Sequence, residues 1–176
     1  MITSHTLNAR RKQSGITLIE VSIGLIIAAI VAAAAFIAFQ NNARRTEVQD
    51  NIKQITEVIS ETKQKVGSTT GYAGLDNAKA AQLAILSDAD LNNSYGEPIL
   101  LAVDTVDDNL AVLTWPNVEG DQCSDIALAI ANGVTTVDGV GDPQTVTNGQ
   151  LTLDQTTLIC GDGTAAVDLA LTFGRR

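Results

Sequence analysis

"RRKQSGITLIEVSIGLIIAAIVAAAAFIAFQ", residues 10–40, is the stretch on which the reading of this chain turns. Arg10, Arg11 and Lys12 stand ahead of a run from Ile16 to Phe39. Within that run only Thr17, Glu20, Ser22 and Gly24 fall outside the strongly apolar or alanine classes. As a helix, residues 16–39 span roughly 36 Å at about 1.5 Å per residue, enough for a hydrocarbon core of about 30 Å. The basic cluster should stay cytoplasmic and place everything after residue 40 outside. Two readings compete. A cleaved secretion signal has a shorter apolar region and a small-residue cleavage site, which Ala32–Ala35 imitate. A permanent single-pass anchor fits the length better. Neither explains Glu20.

A charge at the centre of a membrane helix costs about 2.5 to 3.5 kcal/mol on insertion scales, and such residues usually have a partner. No basic residue lies inside the run to provide one. A cut between Gly15 and Ile16 would create one, because the new α-amino group has a pKa near about 8 and is positive at neutral pH. Glu20 would then lie in the first turns of the new helix, where the dipole also favours an anion. The amine of one copy pairing with Glu20 of a neighbour would set the axial register between them.

On these residues, "G-ITLIEVSIGLIIAAIVAAAAF" resembles the class III signal of type IV pilins and the related pseudopilins. The resemblance implies that a prepilin peptidase cuts after Gly15 and methylates Ile16, and that Glu20 is the family's assembly acid. The chain departs from the commonest pattern in starting its mature part with Ile16 rather than Phe. Its leader, residues 1–15, is also longer than usual. Both features lean towards the type IVb branch. "GYAGLDNAKAAQLAILSDADLNNSYGEPI", residues 71–99, is similar to the αβ-loop of type IVb pilins from conjugative thin pili and their pathogen relatives. No proline occurs between Ile16 and Val66, so a kink or local melting on assembly would fall at Gly24 or at no marked position.

Past Phe39 the pattern changes without a loop signal. Val48, Ile52, Ile55, Ile59, Thr62 and Val66 are spaced alternately by four and three residues, an amphipathic stripe that ends at Gly67. The simplest reading is one helix from about 16 to 66, roughly 75 Å long, apolar all round in its first half and on one side in its second. A short helix is expected over 77–86. Strands are expected over 97–104 and 109–115, paired as a hairpin, with further strands over 151–160 and 165–173. A second short helix over 121–133 would start at Ser124 as N-cap and stop at Gly133, and 139–150 reads as loop. Helix first and strands later give an α+β domain: a spine helix (about 16–66) on an antiparallel sheet. The chain then divides into a leader (1–15), a membrane and filament-core half-helix (16–40) and a globular domain (41–176). This agrees with the architecture the resemblance implies, including an αβ-loop and a disulfide-bounded C-terminal region.

Cys123 and Cys160 are the two cysteines. Downstream of a membrane-targeting segment they favour one disulfide over two buried thiols. The closed loop would contribute on the order of 4 kcal/mol in the chain-entropy account. The formal charge is −9; with the basic leader removed, 8 basic and 20 acidic residues leave −12. Such a body argues against binding nucleic acid through its bulk surface. The one histidine, His5, lies in the leader, so the mature chain lacks the usual general base and the commonest metal ligand. Asp88, Asp90 and Asn92 start like a calcium loop, but its sixth position is Asn93 rather than Gly and its twelfth is Ile99 rather than Glu. An acidic surface loop is the better account, and Asp104, Asp107 and Asp108 read as turn residues. No cofactor, no metal and no enzymatic activity are expected.

The function this supports is a major structural subunit of a type IVb-like pilus, for adhesion, aggregation or conjugation. Its partners would be further copies of itself, the prepilin peptidase and the inner-membrane assembly machinery. It would wait in the inner membrane with its globular domain in the periplasm, and reach the cell surface once assembled. Arg44 and Arg45 are candidates to pair with acids of neighbouring copies. A minor pilin or type II secretion pseudopilin is the alternative, and a periplasmic binding protein on an uncleaved anchor is the rival from another class.

Overall fold

The computed structural model describes residues 17–68, 71–87 and 91–174. Its first element is α1, Leu18–Lys65, 48 residues long. Two compact units share this helix, one ending at Ala43 and the other beginning at Arg44. The expected helix is thus present, and it runs through Gly24. In the second unit α1 buries Asn51, Ile55, Val58, Ile59 and Thr62, which fall on the stripe of alternating spacing or one turn away from it. Val66 N–H and Gly67 N–H both donate to Thr62 O and close the helix end.

The αβ-loop follows, with α2 over Asn77–Gln82. Asp76 caps α2, its carboxylate accepting from Lys79 N–H at 2.8 Å. Strands β1 (Leu100–Val103) and β2 (Leu110–Val118) form the expected hairpin. Then come α3 (Gly120–Ile130), β3 (Thr136–Asp138), β4 (Gln144–Thr145), α4 (Leu153–Cys160) and β5 (Val167–Gly174). The five strands lie in the order β1-β2-β5-β3-β4, and every neighbouring pair is antiparallel.

Period-two alternation decides which face of the sheet is covered. Leu101, Leu113, Leu171 and Val137 stand in register across β1, β2, β5 and β3, and all four are buried. Ala111, Trp115, Leu169 and Phe173 share this face and join Ile55, Val58 and Ile59 of α1 in one core. Trp115, wholly buried, donates its indole N–H to Asn51 Oδ1 at 3.0 Å, and Asn51 Nδ2 donates back to Glu47 O at 2.9 Å. This links helix to sheet without leaving either polar group unpaired. Between Trp115 and Val118 the register of β2 shifts. Asn117 takes a positive φ of 57° there, and its N–H goes to Asp168 Oδ1 at 2.7 Å, a bulge that turns β2 into α3.

Both sheet edges are occupied by side-chain amides or loop backbone. At β1, Asn77 Oδ1 accepts from Leu101 N–H at 2.7 Å while its Nδ2 donates to Ile99 O at 2.8 Å, and Val103 N–H donates to Leu75 O. At β4, Gln155 Nε2 donates to Thr145 O at 2.9 Å.

Three local expectations are corrected. Within residues 151–160, read as a strand, Leu153–Cys160 form α4. Thr152 and Gln155 make a reciprocal capping box, and Thr156, Ile159 and Cys160 are buried at helical spacing. Helix α3 starts at Gly120 with Glu119 at the N-cap, so Ser124 lies inside it. A Cβ at position 120 would lie 2.4 Å from Ala165 O, so glycine is needed where α3 begins. Finally, β4 forms inside the stretch read as loop, and β3 just ahead of it. Cys123 of α3 is joined to Cys160 of α4 across a sequence separation of 37, so the bond links two helices.

Candidate assembly site

The first unit offers one feature, the uncovered helix. α1 is long and apolar enough to cross a membrane, and none of that window is buried. From Thr17 to Arg45 only Ser22 is even partly covered; Leu18 is 89% exposed and Phe39 71%. Monomeric soluble proteins rarely show a contiguous apolar surface of this extent, and one that does marks a membrane or protein contact. The start of the helix is built locally. Thr17 stands at the N-cap, its hydroxyl accepting from Glu20 N–H at 3.4 Å and its carbonyl from Glu20 N–H at 3.0 Å and Val21 N–H at 3.3 Å. The T-x-x-E spacing of a capping box thereby puts Glu20 in the first turn. There the helix dipole favours its charge, and the carboxylate is exposed with no partner among the described residues. Arg10, Arg11, Lys12, Gly15 and Ile16 lie outside the described residues, as does His5.

In the second unit the polar groups at the start of its part of α1 are tied to the rest of that unit. Gln122 of α3 is the hub. Its amide N–H groups donate to Glu47 Oε2 at 3.0 Å and Glu119 Oε2 at 2.9 Å, and its carbonyl accepts from the Tyr95 hydroxyl at 2.7 Å. Both N–H donors of that amide and one acceptor position of its oxygen are used. Burial, then the charges of Glu47 and Glu119, push the Tyr95 phenol well above its ordinary value, so it remains a donor. Arg44 pairs with Asp121 of its own chain rather than standing free for a neighbour.

Among the residues weighed for a metal site, Asn93, Asp104 and Asp107 have structural work. Asn93 Oδ1 accepts from Tyr95 N–H at 3.0 Å and Glu97 N–H at 2.9 Å, while its Nδ2 donates to Pro116 O at 2.6 Å. Asp104 Oδ1 accepts from Val106 N–H and Asp107 N–H, and Asp107 Oδ1 accepts from Asn109 N–H and Nδ2. Asp88 and Asp90 lie outside the described residues. The Gln122 hub was not foreseen from sequence; its members are as far apart as positions 47 and 122, and no local pattern announces it.

Comparison with known proteins bears on the N-terminal stretch and on the fold. The family described as the prokaryotic N-terminal methylation motif matches residues 10–36. The fold is similar to TcpA, a type IV pilin from Vibrio cholerae El Tor biotype, with a TM-score of 0.55 at 13% identity over 72% of this chain and 98% of that one. It is also similar to the type IVb pilin from Salmonella typhi, with a TM-score of 0.53 at 19% identity over 72% of this chain and 97% of the other. No curated protein sequence matches the chain. At these identities the likeness establishes the pilin fold. The motif establishes the N-terminal signature that goes with it.

Proposed function

We propose that this chain, with a pilin fold behind an N-terminal methylation motif, is the major structural subunit of a type IV pilus of the IVb kind. Residues 1–15 serve as the leader, with Arg10, Arg11 and Lys12 keeping it in the cytoplasm. Prepilin peptidase cuts between Gly15 and Ile16, and Ile16 is methylated. Residues 16–40 hold the precursor in the inner membrane with residues 41–176 in the periplasm. The assembly machinery then moves that helix from lipid into the core of a surface fibre used for adhesion, aggregation or conjugation. Each apolar square ångström buried between helices contributes about 25 cal/mol relative to water, and Glu20 pairs with the methylated amine of a neighbour to fix the register.

The observation carrying this reading is a conjunction: an exposed apolar helix whose first turn holds Glu20, within the matched motif, ahead of a pilin fold. Intact mass and N-terminal sequencing of the sheared surface fraction test it. The expected chain starts at Ile16, about 14 Da heavy for a methyl group and about 2 Da light for the disulfide. A chain starting at Met1 would make it a plain anchor, and one starting near Ala35 an ordinary secreted protein.

A further inference from the structure

Charge is segregated along this sequence. From Ala80 to Gly174 every charged side chain is Asp or Glu; there is no Lys, Arg or His. The cations of the described residues are Arg44, Arg45, Lys53, Lys63, Lys65 and Lys79. Four are engaged within the chain. Arg44 pairs with Asp121. Lys63 donates to Gly133 O at 2.6 Å and lies 5.7 Å from the centre of the Phe173 ring. Lys65 pairs with Glu61 at 2.5 Å, and Lys79 donates to Gly74 O. Lys53 has acids at neighbouring helical positions, Asp50 three residues before it and Glu57 four after, so its charge is offset locally. Arg45 is different. It is exposed, and its side chain makes no hydrogen bond or ion pair among the described residues. The residues three and four positions away are Asn41, Asn42, Val48 and Gln49, none of them charged.

We propose that Arg45 docks against a carboxylate on the body of a second copy of this chain; this rests on the assembly reading above. The guanidinium fork matches a carboxylate in two parallel hydrogen bonds, and the body between residues 80 and 174 presents acids with no competing cation. Copies that are all acidic repel as they close. A single uncommitted arginine offsets that repulsion only where it meets an acid, so it selects how neighbouring bodies meet. Exposed acids between residues 80 and 174 whose carboxylates have no partner among the described residues are Glu97, Asp108, Asp125, Asp142 and Asp154.

The test compares fibre yield in the sheared fraction with the amount of processed chain in the membrane. The variants are Arg45→Glu, Arg45→Gln, and Arg45→Glu combined in turn with Glu97→Arg, Asp108→Arg, Asp125→Arg, Asp142→Arg and Asp154→Arg. The expected result is at least a tenfold loss of fibres in both single variants at unchanged membrane level, and recovery in one of the doubles. Normal fibre yield from Arg45→Glu overturns the proposal, as does the absence of recovery in every double. A fall in membrane level would assign the arginine to lipid headgroups and also overturn it. Wild-type cells without fibres would remove the assembly reading itself, whereas fibres from wild type and Arg45→Glu alike would remove only the arginine's part.

Discussion

Single residues join the layers of the globular unit through buried polar bonds, and their removal should show it. Asn51 serves two partners at once, accepting from Trp115 and donating to Glu47 O. Asn51→Leu leaves the Trp115 indole N–H buried without an acceptor, a cost of about 1 to 3 kcal/mol. Urea unfolding of the detergent-held chain, followed by the fluorescence of its one tryptophan, would measure it. Tyr95 makes a complementary prediction. Its folded value lies above the ordinary 10.0 because phenolate is disfavoured by burial and by Glu47 and Glu119. Its contribution is complete below the unfolded value and is lost as pH rises through the folded one. Ultraviolet titration should therefore show Tyr95 ionising above 10.0, and Glu47→Gln should bring it down. Asp107 behaves oppositely, since hydrogen bonds from Asn109 hold it below the ordinary 3.8. That contribution is present above 3.8 and lost as pH falls through the folded value. Carbon-13 chemical shifts of its carboxyl would report the midpoint.

At the scale of elements, α1 and the β1–β2 hairpin were legible because their cues are local. An alternating four–three apolar spacing and two β-rich runs around a turn require no partner to be recognised. The α4 segment was not legible in the same way. Leu151, Thr152, Leu153 and Asp154 alternate like a strand, and Thr156, Thr157 and Ile159 are β-branched. What makes this segment helical is partly its capping box, a T-x-x-Q spacing present in the sequence. The rest is its tie to α3 through Cys123 and Cys160, which no short window contains. β3 and β4 escaped notice because three- and two-residue strands lie below the length at which alternation is visible. Helix α4 should thus depend on its covalent tie. Replacing both cysteines by serine should destabilise the chain by about 4 kcal/mol in the chain-entropy account. Amide exchange should quicken first over residues 153–160, before the β2–β5 centre of the sheet. Equal protection of α4 with and without the bond would contradict that order.

For the whole molecule, the N-terminal feature was the most legible and the packing of the body the least. The apolar helix and Glu20 are written consecutively. The core that unites α1 with four strands depends on residues brought together from across the chain. Glu20 is also where the proposed assembly is most exposed to test. Glu20→Ala should leave the cleavage at Gly15 intact and abolish fibres, judged by the processed chain on a gel and by fibres in the sheared fraction. Normal fibre yield would sink the pairing of Glu20 with a neighbour's amine.

The covered sheet edges carry a consequence of their own. With Asn77 and the Leu75 carbonyl on β1, and Gln155 on β4, edge groups that a second sheet could use are already engaged within the chain. Such covering disfavours the stacking of strands from one copy onto the next when many copies lie side by side. On the proposed assembly, copies would then meet through the apolar helix and through side chains of the body rather than by adding strands to one another's sheets.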